Sequence, residues 1–552
     1  MKIKEQNINK ILLWLLAISA LVRGVLAAWM EFGNDEVYYW TYALYPDWSH
    51  FDHPPMAGWM IQLFSLNLLF DSEFFIRLAS VVFMTVNTYI IFRIGKEIKD
   101  ARTGLYAALL YTASIYAFVI TGIFIMPDTP LMLFWLLAIW MAVRAIDSLR
   151  IVEMRFARSN DKAIQEKTAL RQAQGPWYLL LFGLFAGLAM LSKYSGAFLW
   201  VGMALYILIS NRKQLKNPYL YLALLISALC CIPILYWNFK YDFISFSFHG
   251  ARIGGNKLNF STFGTEIAGE FFYNNPVNFV LAIIAVAVFK KRLDIEKSTQ
   301  NLILCIALPM ILVFLSFSLT RPTLPHWNAP AYVSLTLLSA VYLRDKYNES
   351  DKLPKSIIAA LAVLLFTLTV GVAEIKTGFI PLDKHTEPEM LGRDDFTLDM
   401  YGWRQLGEKF ADFREQKIAE GVMKEEDGIV ANQWFPLANL DYYVARPLGM
   451  KVMGLGWPEQ LHKYLWINDE RGGFHLGESY WFLTDSRYLK DPKTTYQWFF
   501  KEIELVGVIE IDRCGRPAKN FFVYACKDLY DQPPTLQSVM AASAAKDTKS
   551  RQ

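Results

Sequence analysis

Charge is scarce in this 552-residue chain: 19% of residues are Asp, Glu, Lys or Arg, where a soluble globular chain carries about 25%. Cysteine is scarcer still. The five present (Cys230, Cys231, Cys305, Cys514 and Cys526) lack metal-ligand spacing, which excludes a disulfide scaffold and a zinc ribbon. A net charge of only +4 gives no reason to expect nucleic acid as a partner. No Walker loop, no G-x-G-x-x-G after a strand and no G-x-S-x-G occurs, so nothing recognisable binds a nucleotide. What abounds is apolar: 54% of residues are hydrophobic, and the mean hydropathy is +0.24. These numbers describe a multi-pass membrane protein.

The apolar excess is confined to 1–375; residues 376–552 read as soluble sequence. A hydrocarbon core of about 30 Å needs about 20 apolar residues in a helix. Runs near that length lie at 11–30, 74–94, 104–125, 129–147, 177–192, 195–210, 219–237, 276–290, 299–319, 329–343 and 356–375, giving about eleven spans. With the N-terminus cytoplasmic, the inner loops hold 25 Lys and Arg. The opposite loops hold five: Lys193, Lys240, Arg252, Lys257 and Arg321. That asymmetry places the N-terminus inside and, with an odd span count, 376–552 outside.

The expected organisation is therefore a transmembrane domain over 1–375, a soluble outer domain over 376–531 and an unordered tail over 532–552. Two long outer loops, 31–75 and 238–275, belong to the first part, and 148–176 reads as a solvated inner linker. Segment 56–70 predicts a helix along the membrane surface. In the outer domain, strands are expected at 428–432, 479–483, 504–512 and 520–526, and helices at 402–419 and 457–465, an α/β or α+β unit. A hairpin turn at 514–519 would hold Cys514 and Cys526 about 23 Å apart, so two separate thiols are expected rather than a disulfide.

Candidate chemistry gathers in the outer loops. Loop 31–75 has no Lys or Arg, yet carries Asp35, Glu36 and Asp52 among Tyr38, Tyr39, Trp40, Tyr42, Tyr45 and Trp48. The carboxylates suit either simple solvation or acid–base work, and the aromatics either an interfacial belt or sugar stacking. Asp128, between Pro127 and Pro130, reads as a helix cap or as a rigidly held catalytic carboxylate. Lys193, Arg252 and Arg321 either reach the interface as snorkelling side chains or, with His53, His249 and His326, seat a phosphate. Asp52 with His249 suits a divalent metal. Carboxylates and cations on one membrane face suggest group transfer from a phosphate-linked donor: cations neutralise the departing phosphate, and one carboxylate serves the acceptor hydroxyl as base.

The order of motifs resembles glycosyltransferase family 39, the bacterial branch of the dolichyl-phosphate-mannose protein mannosyltransferase superfamily that includes lipid A aminoarabinose transferases. The residues are Asn34-Asp35-Glu36, Phe51-Asp52-His53-Pro54-Pro55, Pro127-Asp128-Thr129-Pro130, Leu191-Ser192-Lys193-Tyr194 and Pro325-His326-Trp327-Asn328-Ala329-Pro330. The resemblance implies a membrane GT-C fold and a polyprenyl-phosphate sugar donor, with inverting transfer to a lipid, glycan or protein acceptor. It implies Asp35 as acceptor base, with Glu36 beside it, Asp128 as supporting carboxylate and Lys193 as a donor-phosphate contact. Arg252, Arg321 and His249 lie in the appropriate loops without matching a strict motif. The family's Glu-Lys-Pro-Pro stands here as Asp52-His53-Pro54-Pro55. Asp52 keeps a carboxylate that meets a metal in lipid A transferases; His53 replaces a permanent cation, which argues against aminoarabinose specificity.

Two other readings share the architecture: a ligase or polymerase using a diphosphate-linked donor, and a transporter or flippase. A transporter places polar groups within its spans, whereas these carboxylates gather in loops. A sensing receptor would not need Asp35 or Asp128.

Overall fold

The computed structural model describes residues 4–155, 162–251, 258–288 and 293–541. The chain divides into a helical unit (1–28, 53–239 and 249–366) and a C-terminal unit (29–52, 240–248 and 367–552).

Each expected apolar run of the helical unit carries helix among its described residues. Among the described residues, six helices are long and apolar enough to cross a membrane: Glu5–Trp29, Glu73–Ile98, Asp128–Ile146, Gly175–Ser192, Lys297–Ser318 and Lys355–Thr377. Two bent pairs raise the number to eight when each counts as one span: Pro218–Cys230 with Ile232–Lys240, at 44°, and Phe260–Tyr273 with Pro276–Ala287, at 103°. The rest of the expected eleven are shorter pieces or a buried helix. Run 104–125 breaks after Ala101–Ala113 into a single π turn at Tyr116–Ile120, 195–210 gives Phe198–Ser210, and 329–343 gives Ala329–Lys346, whose residues are almost all buried.

Small residues let helix backbones approach. A Cβ on Gly183 would sit 2.3 Å from the Ala223 carbonyl oxygen, so no larger residue fits there. Buried polar groups pair across helices, as Trp135 Nε1 does with Ser334 Oγ at 2.9 Å. At the 103° bend, Asn275 takes a positive φ of 70°. Its amide donates to the carbonyls of Ala113 and Ala360, each at 2.9 Å, and its Oδ1 accepts the Val277 N–H.

Three expectations change. The linker 148–176 is helical wherever it is described, within Asp128–Arg155 and Lys162–Ser192; its Ala, Gln, Lys, Glu and Arg are strong helix formers even where charges mix. Loop 238–275 carries the helices Ile244–Ala251 and Phe260–Tyr273. The latter is capped by Asn259, whose Oδ1 accepts from Ser261 and Thr262. Segment 56–70 forms a shorter helix, Met56–Phe64.

In the C-terminal unit a five-stranded mixed sheet runs in the order β2-β1-β3-β5-β4, with β1 Gly428–Ala431, β2 Val452–Gly454, β3 Tyr480–Asp485, β4 Phe500–Arg513 and β5 Arg516–Leu529. β1 pairs parallel to β2 and β3, and β5 pairs antiparallel to β3 and β4. The β4–β5 turn is tighter than expected: Cys514 and Gly515 both take positive φ, 51° and 74°, the requirement of a two-residue hairpin turn. Cys526 therefore faces Ile503. Both thiols are free, Cys514 exposed and Cys526 buried, as expected.

Residues 29–52, which the sequence grouped with the membrane domain, cluster with the C-terminal residues. The Asn34–Leu44 helix buries Tyr38, Trp40 and Tyr42. Tyr38 lies 5.1 Å from Trp434 and Trp40 5.2 Å from Tyr442, ring to ring. The Phe32 N–H donates to Tyr443 Oη at 2.7 Å, and the Trp403 N–H to Glu31 Oε2 at 2.8 Å. The aromatic run thus makes a core here as well as a belt-like composition.

Candidate active site

The Pro127-Asp128-Thr129-Pro130 turn opens the Asp128–Arg155 helix, and Thr129 knits it: its Oγ1 donates to the Phe124 carbonyl at 3.1 Å and accepts from the Met126 N–H at 3.3 Å. With Thr129 bonding the turn, Asp128 points its oxygens at side chains. Oδ1 accepts from Tyr116 Oη at 2.8 Å, and Oδ2 from Lys193 Nζ at 2.7 Å. Tyr116 arrives from the π turn, and Lys193 from an extended residue just after the Lys162–Ser192 helix. Asp128 is 1% exposed and Lys193 7%, so this is a buried ion pair. Among apolar helices, removing either partner would leave the other's charge buried and uncompensated.

His326 stands close enough to feel both charges. Desolvation of its ring pulls it down to about 4, Lys193 adding to the effect and Asp128 opposing it. At neutral pH the imidazole is uncharged, able to accept or donate one hydrogen bond. Two residues on, Asn328 donates its amide to Glu270 Oε1, and Tyr332 Oη donates to Oε2 at 2.7 Å. Glu266, one turn earlier, accepts from Thr323 at 2.7 Å. These buried glutamates were not expected, because 260–273 read as loop; two carboxylates four residues apart were the available signal.

The remaining candidates of this unit are His53, His249, Arg252 and Arg321. Tyr194, beside Lys193, packs its ring 5.3 Å from His249, which lies 6.5 Å from His53. Arg321 sits over Phe317 at 5.2 Å. Arg252 lies outside the described residues.

In the C-terminal unit, Asp35 lies exposed in the first turn of the Asn34–Leu44 helix, and Glu36 is buried with its Oε2 accepting the Gly33 N–H at 3.0 Å, the bond of a helix cap. Asp52 is held differently from Asp128. Its Oδ1 accepts two phenols, Tyr38 at 2.8 Å and Tyr42 at 2.5 Å. Burial, with the Asp52 charge adding to it, pushes both phenols well above their ordinary range, so they stay protonated donors. His462, a residue sequence reasoning missed, presents Nδ1 at 3.7 Å from Asp52 Oδ2. That nitrogen is buried without a hydrogen bond, and His462 takes a positive φ of 50°, uncommon for a residue with a Cβ. Next to it, Lys463 donates to the Tyr45 carbonyl and meets His50 Nδ1 at 2.8 Å.

The Asp52 carboxylate and the His462 imidazole nitrogen are ligand types that a divalent cation takes. His249 belongs to the other unit. Among the described residues the one three-ligand cluster is Asp383, His385 and Asp394. There Asp383 already accepts the Gly392 and Asp394 N–H groups, at 2.7 and 3.3 Å, and meets His385 at 2.8 Å, which accounts for the cluster as a loop organiser.

Comparison with known proteins gives one consistent neighbourhood. Residues 52–155 and 167–237 match the dolichyl-phosphate-mannose-protein mannosyltransferase family. A lipid A galacturonosyltransferase, RgtD of Rhizobium johnstonii, is 21% identical over 436 residues, covering 76% of this chain and 81% of its own length. Among solved structures, ArnT from Cupriavidus metallidurans in the apo state superposes with a TM-score of 0.57 at 13% identity, over 93% of this chain and 97% of that one. The same protein bound to undecaprenyl phosphate gives a TM-score of 0.55 at 14% identity, with the same coverage of each chain. The fold is therefore the GT-C fold.

Proposed function

We propose that this chain, a membrane GT-C glycosyltransferase of the family-39 type similar to lipid A-modifying transferases, moves a sugar from a polyprenyl-phosphate donor to a hydroxyl of a lipid, glycan or protein acceptor. The supporting observation is a buried Asp128–Lys193 pair in a fold shared with a protein crystallised with undecaprenyl phosphate. The 25-to-five distribution of Lys and Arg supports a reaction at the outer face of the cytoplasmic membrane, with the N-terminus inside. The diphosphate-donor and transporter readings have no comparable support.

In the proposed step the bond between the anomeric carbon and the phosphate oxygen breaks, its electron pair leaving with the lipid phosphate. The acceptor oxygen forms the new bond from the opposite face and loses its proton to a carboxylate, which inverts the centre. The departing phosphate needs cations rather than a general acid. Lys193 is assigned that role, with Arg321, Arg252 and His53 as further phosphate contacts. Its ammonium has three donors and spends one on Asp128, so Asp128 acts as the supporting carboxylate that fixes it. Asp35, exposed at its helix start, keeps the role of acceptor base. Glu36, engaged at Gly33, orients that turn. Asp52 and His462 are the residues that would hold a divalent cation, which would supply a fixed positive charge.

The test incubates the purified chain with a panel of radiolabelled polyprenyl-phosphate sugars and membrane extract, and follows the label. Transfer from at least one donor is expected, abolished in Asp35→Asn and with donor dependence weakened in Lys193→Ala. Absence of transfer with every donor removes the reading. Undiminished transfer in Asp35→Asn removes the base assignment alone.

A further inference from the structure

A second binding place lies at the other end of the helical unit. The Phe198–Ser210 helix starts five residues after Lys193 and runs 13 residues, about 20 Å, to Ser210. Asp128 likewise begins the helix whose far part carries Ile146. Beside Ile146 and the end of the Phe198–Ser210 helix, a cleft of about 580 Å³ opens, lined by Ser210, Arg212, Lys213, Lys297, Ser298 and Asn301 among others. Among the described lining residues three are cations and none is a carboxylate. Asn301 Nδ2 donates to Ser210 Oγ at 3.0 Å, and Arg212 Nε to the Leu208 carbonyl at 2.8 Å, which hold the wall in shape. Ser298, in the first turn of the Lys297–Ser318 helix, has a buried hydroxyl without a hydrogen-bond partner. A helix start with a spare hydroxyl and three cations is matched by a phosphate group.

The surroundings say what carries that phosphate. Leu208, Ile209 and Leu215 flank the cleft with 46%, 71% and 44% of their surface exposed, apolar area that lipid tails cover. A soluble anion would use the cations alone; a lipid uses both parts. We infer that this cleft binds the phosphate headgroup of an anionic membrane phospholipid, at a site separate from Asp128 and Lys193 and independent of the transfer reaction.

The full chain is reconstituted in phosphatidylcholine vesicles with spin-labelled phosphatidylglycerol or spin-labelled phosphatidylcholine, and the immobilised fraction of each is measured. Each basic residue at an anionic surface adds about fivefold in affinity, so a preference for phosphatidylglycerol of several-fold is expected. It should fall to near unity in Arg212→Gln/Lys213→Gln/Lys297→Gln. It should persist in Lys346→Gln/Lys352→Gln/Lys355→Gln, which removes equal charge elsewhere at that end of the helices. Equal loss in both variants, or no preference in the unaltered chain, overturns the proposal. A soluble-phosphate site would instead appear as thermal stabilisation of the detergent-solubilised chain by inorganic phosphate without lipid preference, and that also overturns it. Should the triple variant fail to fold, Lys297→Glu alone gives the same readout.

Discussion

Asp128 and Asp52 are both buried carboxylates, one in each unit, and they are stabilised by opposite means. Asp128 meets an ammonium, Lys193, and a phenol. Asp52 meets two phenols, while the nearest histidine nitrogen stands back at 3.7 Å. The lysine beside Asp52 turns its ammonium to neutral acceptors instead, the Tyr45 carbonyl and His50. The difference teaches that Asp128 is fixed chiefly by an ion pair, whereas Asp52 is fixed by two hydroxyl donors with an imidazole nearby.

Removing Lys193 should break the comparison most sharply. Lys193→Met leaves Asp128 buried and unpaired, a loss of about 3–5 kcal/mol, read as a fall in the unfolding temperature of the detergent-solubilised chain. Asp128→Asn/Lys193→Met removes both charges and should recover most of that stability while transfer stays lost. Recovery of transfer in the double variant would make the pair purely structural.

Lys463 offers the next largest effect, through pH. Burial pushes its ammonium down to about 7, with Asp47, Asp52 and Glu470 pulling the other way. The folded value lies below the unfolded one of about 10.4, so between them the unfolded chain binds the extra proton and stability rises with pH. From pH 7 to 9 the gain should be on the order of 1–2 kcal/mol, and Lys463→Met should flatten it. An unchanged slope in that variant would place the titration elsewhere.

Asp52→Asn should cost least, about 1 kcal/mol, because the two phenols keep an oxygen to donate to. If Asp52 receives a cation, the same substitution should lower divalent-metal uptake, measured by elemental analysis after dialysis. A cost near that of Lys193→Met would show that Asp52 is as deeply paired as Asp128.

Much of this was legible in the residues. Hydropathy located all eleven helical runs, because burial and lipid contact both demand apolar length. It could not show the bends after Cys230 and at Asn274-Asn275, since hydropathy sums residues without direction. Asp128 and Lys193 stood out as charges among apolar neighbours, yet their pairing is a meeting of segments 65 residues apart. Tyr116 and His326 carried no spacing signal toward them. β1, β3, β4 and β5 alternated clearly enough to read, whereas three-residue β2 was too short. His462 was hidden by its setting, one histidine in a helical-looking stretch with no ligand spacing to Asp52.

The Asn275 bracket has a consequence for how such a protein moves. A sharp corner between two membrane helices is the obvious place to flex when a long lipid enters and leaves. Here one side chain bolts that corner to two neighbouring carbonyls, and both bonds are buried. The corner is a weld rather than a hinge, and whatever motion a catalytic cycle demands must be taken up by segments other than this one.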